Sequence, residues 1–119
     1  RRQRQMCIRD RYYIEVANMP TTNDALEFLK EQKHMVIAPS KAVNACGVAV
    51  SALEMAQNAE RLYWTAEEVD AKMHQIMANI YHSSVAAAER YGLGYDLVAG
   101  ANIVGFQRVA DAMMAQGIF

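Results

Sequence analysis

The sequence predicts an α/β fold, in which two parallel strands with helices are followed by C-terminal helices. Two short apolar segments, residues 12–17 and 35–38, each run into a turn that contains proline. A helical segment separates them, and a crossover of this length is typical of parallel strands. From Ser40 onward, apolar residues recur at the three- and four-residue steps of helices.

The composition is that of one globular domain. The chain has 119 residues, of which 53% are hydrophobic and 21% charged, as in ordinary soluble proteins. Its two cysteines form no C-x-x-C pattern, so the sequence predicts neither a zinc site nor a disulfide framework. No apolar run reaches the roughly 18–20 residues of a membrane span, and no signal peptide is recognisable. We therefore expect a cytoplasmic protein without a membrane partner.

Residues 1–11 differ from the rest of the chain in charge. They hold five of the twelve Lys and Arg residues and one of the thirteen acids, which leaves seven basic and twelve acidic residues elsewhere. The segment has neither aromatic interleaving nor periodicity, and it resembles translated adapter sequence. We predict a non-native or disordered basic tail and place the domain at residues 12–119. A basic arm that binds nucleic acid is the alternative.

The first half of the chain is predicted to form a strand–helix–strand unit. Residues 12–17 are β-branched and aromatic, which favours a strand ending in a turn. A short amphipathic helix follows and ends near Gln32; Asp24 and Glu27 have the spacing of a capping box, although Thr21, Thr22 and Asn23 also suit an N-cap. The second strand, residues 35–38, is apolar throughout, as expected when both faces of a parallel sheet are covered.

Three helices are predicted after Pro39. Ser40 is expected to cap a long helix that runs to about Leu62. The segment 65–68 reads Thr-Ala-Glu-Glu, which is a capping box and a specific helix start. That helix should end at Gly92, where glycine suits a left-handed cap. The last helix should span about residues 96–116.

Asn18 is the first candidate site residue. In open parallel sheets, ligands bind beyond the carboxyl ends of the strands, and Asn18 follows the first strand. Its amide offers both a donor and an acceptor, which suits a carboxamide or a ribose hydroxyl. A turn asparagine that bonds its own backbone is the alternative interpretation.

A second group of candidates follows the second strand. Asn44, Gly47 and Ser51 are spaced by three and four residues, which places them on one helix face beside Val48. An amide, an exposed backbone and a hydroxyl near a helix N-terminus suit a small carboxylate. Alternatively, the glycine permits close helix packing and the serine bonds a helix carbonyl. The three histidines lack ligand spacing, so no metal site is predicted.

Five segments together resemble a known enzyme family. They read EVANMPTT at 15–22, APSKAVNA at 38–45, LEMAQN at 53–58, WTAEEV at 64–69 and GANIVGF at 100–106. In this order they are similar to the Glu/Leu/Phe/Val dehydrogenase family, in its bacterial homohexameric glutamate dehydrogenase form. The resemblance implies that residues 12–119 are the C-terminal part of a Rossmann-like NAD(P)-binding domain with the C-terminal helices of such an enzyme.

The resemblance also implies a reaction and residue roles. The family oxidises L-glutamate with NAD or NADP to 2-oxoglutarate and ammonia, as a hexamer, and no nucleic-acid partner is expected. The position of Asn18 implies a contact with the nicotinamide ribose or carboxamide. Asn44, Gly47 and Val48 would border the nicotinamide and substrate, and Ser51 would hydrogen-bond the substrate's side-chain carboxylate.

The chain also departs from the family pattern. Cys46 and Ala52 stand where glycines are usual. The family's catalytic lysine and aspartate and its dinucleotide-binding glycine loop have no counterpart here, and Lys41 is no substitute, so we expect this fragment to be inactive alone. Two alternatives remain open: a fragment of a leucine, valine or phenylalanine dehydrogenase, against which Ser51 argues, and a small helical interaction module with a basic arm.

Overall fold

The computed structural model describes residues 11–32 and 34–117. In chain order it contains β1 (Tyr12–Ile14), α1 (Asn23–Lys30), β2 (Val36–Ala38), α2 (Ser40–Val43), α3 (Ala45–Glu60), α4 (Ala66–Arg90) and α5 (Leu97–Gln116). Apart from Arg11, the basic tail predicted at residues 1–11 lies outside the described residues. None of the described helices is long and apolar enough to cross a membrane.

The two strands form a parallel pair, as predicted. Tyr12 lies opposite Val36, and Ile14 lies opposite Ala38. The Glu15 amide still donates to the Ala38 carbonyl, at 3.0 Å. The ladder ends there because Pro39 has no N–H to donate, so β1 is shorter than predicted, whereas β2 ends as predicted and lacks only Met35 at its start.

Helix α1 begins two residues earlier than an N-cap at Asp24 would require. Thr22 has an extended backbone and is the N-cap; its hydroxyl oxygen accepts a hydrogen bond from the Ala25 amide at 3.4 Å. Asp24 therefore lies inside the first turn. There its carboxylate suits the positive end of the helix. Thr22, one of the four predicted candidates, is the cap, and the Asp24–Glu27 spacing does not form a capping box.

The single long helix predicted from Ser40 was also wrong. Pro39 occupies the N-cap position and Ser40 is the first residue of α2. The helix is interrupted at Asn44 (φ −88°, ψ 0°), whose carbonyl accepts the Gly47 amide at 3.2 Å, and α3 then runs to Glu60. Pro39 has the extended backbone of an N-cap (φ −73°, ψ 145°), so Ser40 lies inside the first turn, where its free amide is bound by a carboxylate from another segment, as described below.

The two C-terminal helices begin where their caps predict. The Thr65 hydroxyl accepts the Glu68 amide at 3.2 Å, and the Glu68 carboxylate accepts the Thr65 amide at 2.7 Å, which completes the capping box of α4. Gly92 follows the end of α4 with a φ of +71°, as expected. The Asp96 carboxylate accepts the Ala99 amide at 2.9 Å and caps α5.

The best-packed part of the fold is the crossing of α4 and α5. Ala88, at 0% exposure, is the most buried core residue described, and Leu97 and Val98 pack in the same crossing. Gly100 permits the close approach, because a Cβ built on it would lie 2.0 Å from the Ser84 carbonyl oxygen. Many large apolar side chains remain exposed elsewhere, among them Ile14, Val16, Met55, Phe106 and Met114.

Candidate functional site

The loops that follow the two strands meet beyond the carboxyl ends of the sheet. The side-chain amide of Asn44 donates to the side-chain oxygen of Asn18 at 2.5 Å, across 26 residues of sequence. Asn18 is exposed and Asn44 is half-buried. A primary amide has two donors and two acceptor lone pairs, so the pair retains the capacity to bind a further polar ligand.

The turn that carries Asn18 has an unusual backbone. Met19 has a φ of +50°, in the left-handed region that is uncommon for residues other than glycine, and its side chain is 88% exposed. The Tyr13 and Thr21 hydroxyls share a hydrogen bond of 2.8 Å on the far side of the turn. The turn is therefore anchored on both sides of Met19, with Asn18 held towards α2.

Gly47, Val48 and Ser51 all lie on α3 and are exposed, Val48 to 77%. Asn44 lies at the junction that precedes this helix, so the predicted shared face holds for Gly47 and Ser51 only. Among the described residues, nothing lies within 4 Å of a Cβ built on Gly47, and no close helix contact depends on it. At 1.5 Å per residue, Ser51 lies about 10 Å along the axis from Asn44.

Glu15 is a polar residue of this region to which the sequence pattern assigns no role. It is only 7% exposed, and its carboxylate accepts a hydrogen bond from the Ser40 amide at 3.2 Å. The available signal was one acidic side chain within the otherwise apolar predicted strand 12–17, near the end of the sheet where ligands bind.

Lys41 links the site to the C-terminal helices. Its ammonium group donates to the side-chain oxygen of Asn102 on α5 at 2.5 Å, across 61 residues of sequence. This contact fixes the outer face of α2 and was not apparent from spacing. Within residues 11–32 and 34–117, no three His, Cys, Asp or Glu side chains are grouped closely enough to hold a metal ion.

Comparison with known proteins agrees with this architecture. The profile of the Glutamate/Leucine/Phenylalanine/Valine dehydrogenase family matches residues 3–117. The chain is 75% identical over 108 residues to an NAD-specific glutamate dehydrogenase of Clostridium symbiosum. This alignment covers 91% of this chain and 24% of the relative. An NADP-specific glutamate dehydrogenase of Escherichia coli K12 is 57% identical over 106 residues, which is 87% of this chain and 23% of the relative.

Solved structures give the same result. A glutamate dehydrogenase superimposes with a TM-score of 0.92 at 70% identity, covering 98% of this chain and 26% of that one. The hetero-hexameric glutamate dehydrogenase of Thermus thermophilus, in its Leu-bound form, gives 0.85 at 26% identity, over 93% of this chain and 26% of that one. The two parallel strands are thus part of a Rossmann-like fold rather than of a helical interaction module.

The chain spans about a quarter of the length of the curated relatives that it matches. Within that quarter, the parallel strands, the paired loops at their carboxyl ends and the family profile all agree. The chain belongs to the Glutamate/Leucine/Phenylalanine/Valine dehydrogenase family.

Proposed function

We propose that this chain is part of an NAD(P)-dependent glutamate dehydrogenase, in which it forms the wall that holds the nicotinamide and reads the distal carboxylate of the substrate. The hydrogen bond between Asn18 and Asn44 carries this proposal. It joins the two loops at the carboxyl ends of parallel strands, where α/β folds bind dinucleotides. One relative is NAD-specific and another is NADP-specific, which supports either coenzyme.

The proposed reaction converts L-glutamate, NAD(P)⁺ and water into 2-oxoglutarate, ammonia as ammonium, NAD(P)H and a proton. A bound NAD(P)⁺ would supply the acceptor for the hydride that leaves the α-carbon of glutamate. The amides of Asn18 and Asn44 can hold the nicotinamide ribose or carboxamide by hydrogen bonds. Gly47 leaves its backbone accessible and Val48 offers an exposed apolar surface, both of which suit the flat face of a nicotinamide ring.

Ser51 is the proposed contact to the substrate's side-chain carboxylate. Its exposed position on α3 leaves the hydroxyl accessible to a ligand beside Gly47. A hydroxyl that donates to a carboxylate discriminates against apolar amino acids, because beside them it would lose its partner. The catalytic lysine and aspartate and the glycine loop would come from the other three quarters of the enzyme.

We propose further that the whole enzyme is a homohexamer in the cytoplasm. The exposed large apolar side chains of β1, α3 and α5 support burial against the rest of the polypeptide or another subunit, and one structural relative is described as hetero-hexameric. Cys46 is a free thiol, which suits a reducing compartment.

The proposal can be tested in a chimera. Residues 12–117 of this chain would replace the matching segment of the Clostridium symbiosum enzyme, to which the chain is 75% identical. We expect the chimera to reduce NAD or NADP in the presence of glutamate, and the 119-residue chain alone to show no turnover. Glutamate-dependent turnover by the isolated chain would contradict the proposal that this chain forms only one wall of the active site.

Ser51→Ala in the chimera tests the substrate contact. Loss of a hydrogen bond to a charged group costs about 1.5–3 kcal/mol, so we expect the KM for glutamate to rise by roughly 10- to 100-fold. Ser83→Ala, on α4 outside the site, is the matched control and should leave the KM unchanged. An unaltered KM in Ser51→Ala would refute the assignment.

A leucine, valine or phenylalanine dehydrogenase is the second candidate, since the family profile covers all four activities. The two candidates differ in what the side chain of the substrate offers to Ser51. If the unsubstituted chimera oxidised leucine with a higher kcat/KM than glutamate, the second candidate would replace the first.

A further inference from the structure

We propose that Glu15 is a positioning residue of this site, which sets the geometry of the Asn18–Asn44 pair through the backbone of Ser40. This inference rests on the proposed function, because it assigns to Glu15 a place in coenzyme binding. The observation behind it is a closed ring of hydrogen bonds that joins the two site loops.

Glu15 is attached to the segment after β2 by both its backbone and its side chain. Its amide donates to the Ala38 carbonyl at 3.0 Å, and its carboxylate accepts the Ser40 amide at 3.2 Å. Glu15 is only 7% exposed. Burial of a carboxylate is costly unless hydrogen bonds replace its lost hydration. The Ser40 amide therefore has a specific and sequence-distant partner.

The ring closes through Asn44. The Ser40 carbonyl accepts the Asn44 amide at 2.8 Å, and the Asn44 side chain donates to Asn18 at 2.5 Å. Asn18 lies three residues after Glu15 in the sequence. Among the described residues, the turn 15–22 is hydrogen-bonded to segment 40–44 at two points only, by the Glu15 carboxylate and by Asn18.

Removal of the carboxylate opens the ring at its buried side. The Ser40 amide then loses its acceptor, and α2 is free to shift relative to the turn. A shift of about 1 Å is enough to lengthen an amide hydrogen bond beyond its useful range, so the asparagine pair should lose its fixed geometry. Glutamine at position 15 keeps an acceptor oxygen and the same shape, and should largely preserve the ring.

The test uses the full-length chimera described above, with Glu15→Ala, Glu15→Gln, Asn44→Ala and the double variant Glu15→Ala/Asn44→Ala. The Kd for NADH or NADPH would be measured by nucleotide fluorescence. We expect Glu15→Ala to raise this Kd about 10-fold and Glu15→Gln to raise it less than about 3-fold. Glu27→Ala, an exposed carboxylate on α1, is the control and should bind coenzyme as the unsubstituted chimera does.

The double variant separates positioning from general destabilisation. If Glu15 acts through Asn44, the double variant should bind coenzyme no more than about 2-fold more weakly than Asn44→Ala alone, because coupled residues are not additive. The proposal would be overturned if the increases in Kd of the two single variants multiplied in the double variant, or if the Glu15→Ala variant bound coenzyme normally.

Hydrogen exchange of the backbone in segment 39–44 gives a readout that needs no turnover. On the same proteins, the Ser40 amide should exchange at least about 10-fold faster in Glu15→Ala than in Glu15→Gln, since it is the amide that loses its acceptor. An unsubstituted chimera without activity would refute the proposed function, whereas unchanged exchange at Ser40 would refute the role of Glu15. The two failures are therefore distinguishable.

Discussion

Gly100→Ala should separate the two helices that form the best-packed part of this fold. A Cβ at this position would lie 2.0 Å from the Ser84 carbonyl oxygen, 2.8 Å from its carbonyl carbon and 3.3 Å from the Ala88 Cβ. The two closest atoms belong to the backbone of α4, so no rotamer change can relieve the contact. The helices must move apart by roughly 1.5 Å before the new methyl group reaches an ordinary contact distance from that oxygen.

The expected loss of stability follows from two opposing effects. Overpacking of a well-packed core costs about 1–3 kcal/mol, and a backbone clash favours the upper end of that range. Alanine has a helix propensity about 1 kcal/mol better than that of glycine, which offsets part of this cost. We expect a net destabilisation of about 2 kcal/mol, or a decrease in Tm of roughly 10 °C for a domain of this size.

Thermal and urea unfolding of the chain, followed by far-UV circular dichroism, would measure this effect. Gly105→Ala is the matched control, because Gly105 is an exposed residue of the same helix and nothing lies within 4 Å of a Cβ built there. The control should be more stable than the parent by about 0.5–1 kcal/mol. A Gly100→Ala variant as stable as the Gly105→Ala variant would refute the close crossing of α4 and α5.

Three further substitutions test local features of the fold. Asp96→Ala removes the N-cap of α5 and should lower the free energy of unfolding by about 1 kcal/mol, whereas Asp111→Ala, within the same helix, should change it little in urea titrations. The 2.5 Å hydrogen bond between the Tyr81 and Tyr95 hydroxyls raises the pKa of Tyr95 above its usual 10.0. This hydrogen bond should therefore stabilise the fold fully below pH 10, and the stabilisation should be lost as the pH rises through the folded-state pKa of Tyr95. Tyr95→Phe should accordingly have a lower Tm than the parent at pH 8, with a difference that shrinks in strongly alkaline buffer. Met19→Gly relieves a positive φ and should raise the Tm slightly, because the cost of the left-handed conformation, about 1–2 kcal/mol, exceeds the loss of about 0.5–1 kcal/mol from the greater freedom of glycine. A lower Tm for this variant would show that the turn depends on the methionine side chain.

Candidate residues for the site could be predicted from the sequence, but their contacts could not. The sequence predicted Asn18 as a candidate because it follows a strand, and Ser51 because it lies in a segment with helical periodicity. It did not predict which residues lie close to them in space. The bond from Asn44 to Asn18 crosses 26 residues, and the bond from Lys41 to Asn102 crosses 61, so neither depends on a local pattern.

The sequence by itself determined the parallel strands, the starts of α4 and α5, and the resemblance to the dehydrogenase family. These features depend on groups within three or four residues of each other, as in the capping box of Thr65 and Glu68, or on segments in a fixed order. Tertiary structure alone decided how the helix after Pro39 begins and where it breaks. Ser40 has the side chain of a helix cap, yet Pro39 takes that position and the amide of Ser40 donates to Glu15, 25 residues away. A buried carboxylate must find its donors in three dimensions, and no local pattern indicates that pairing.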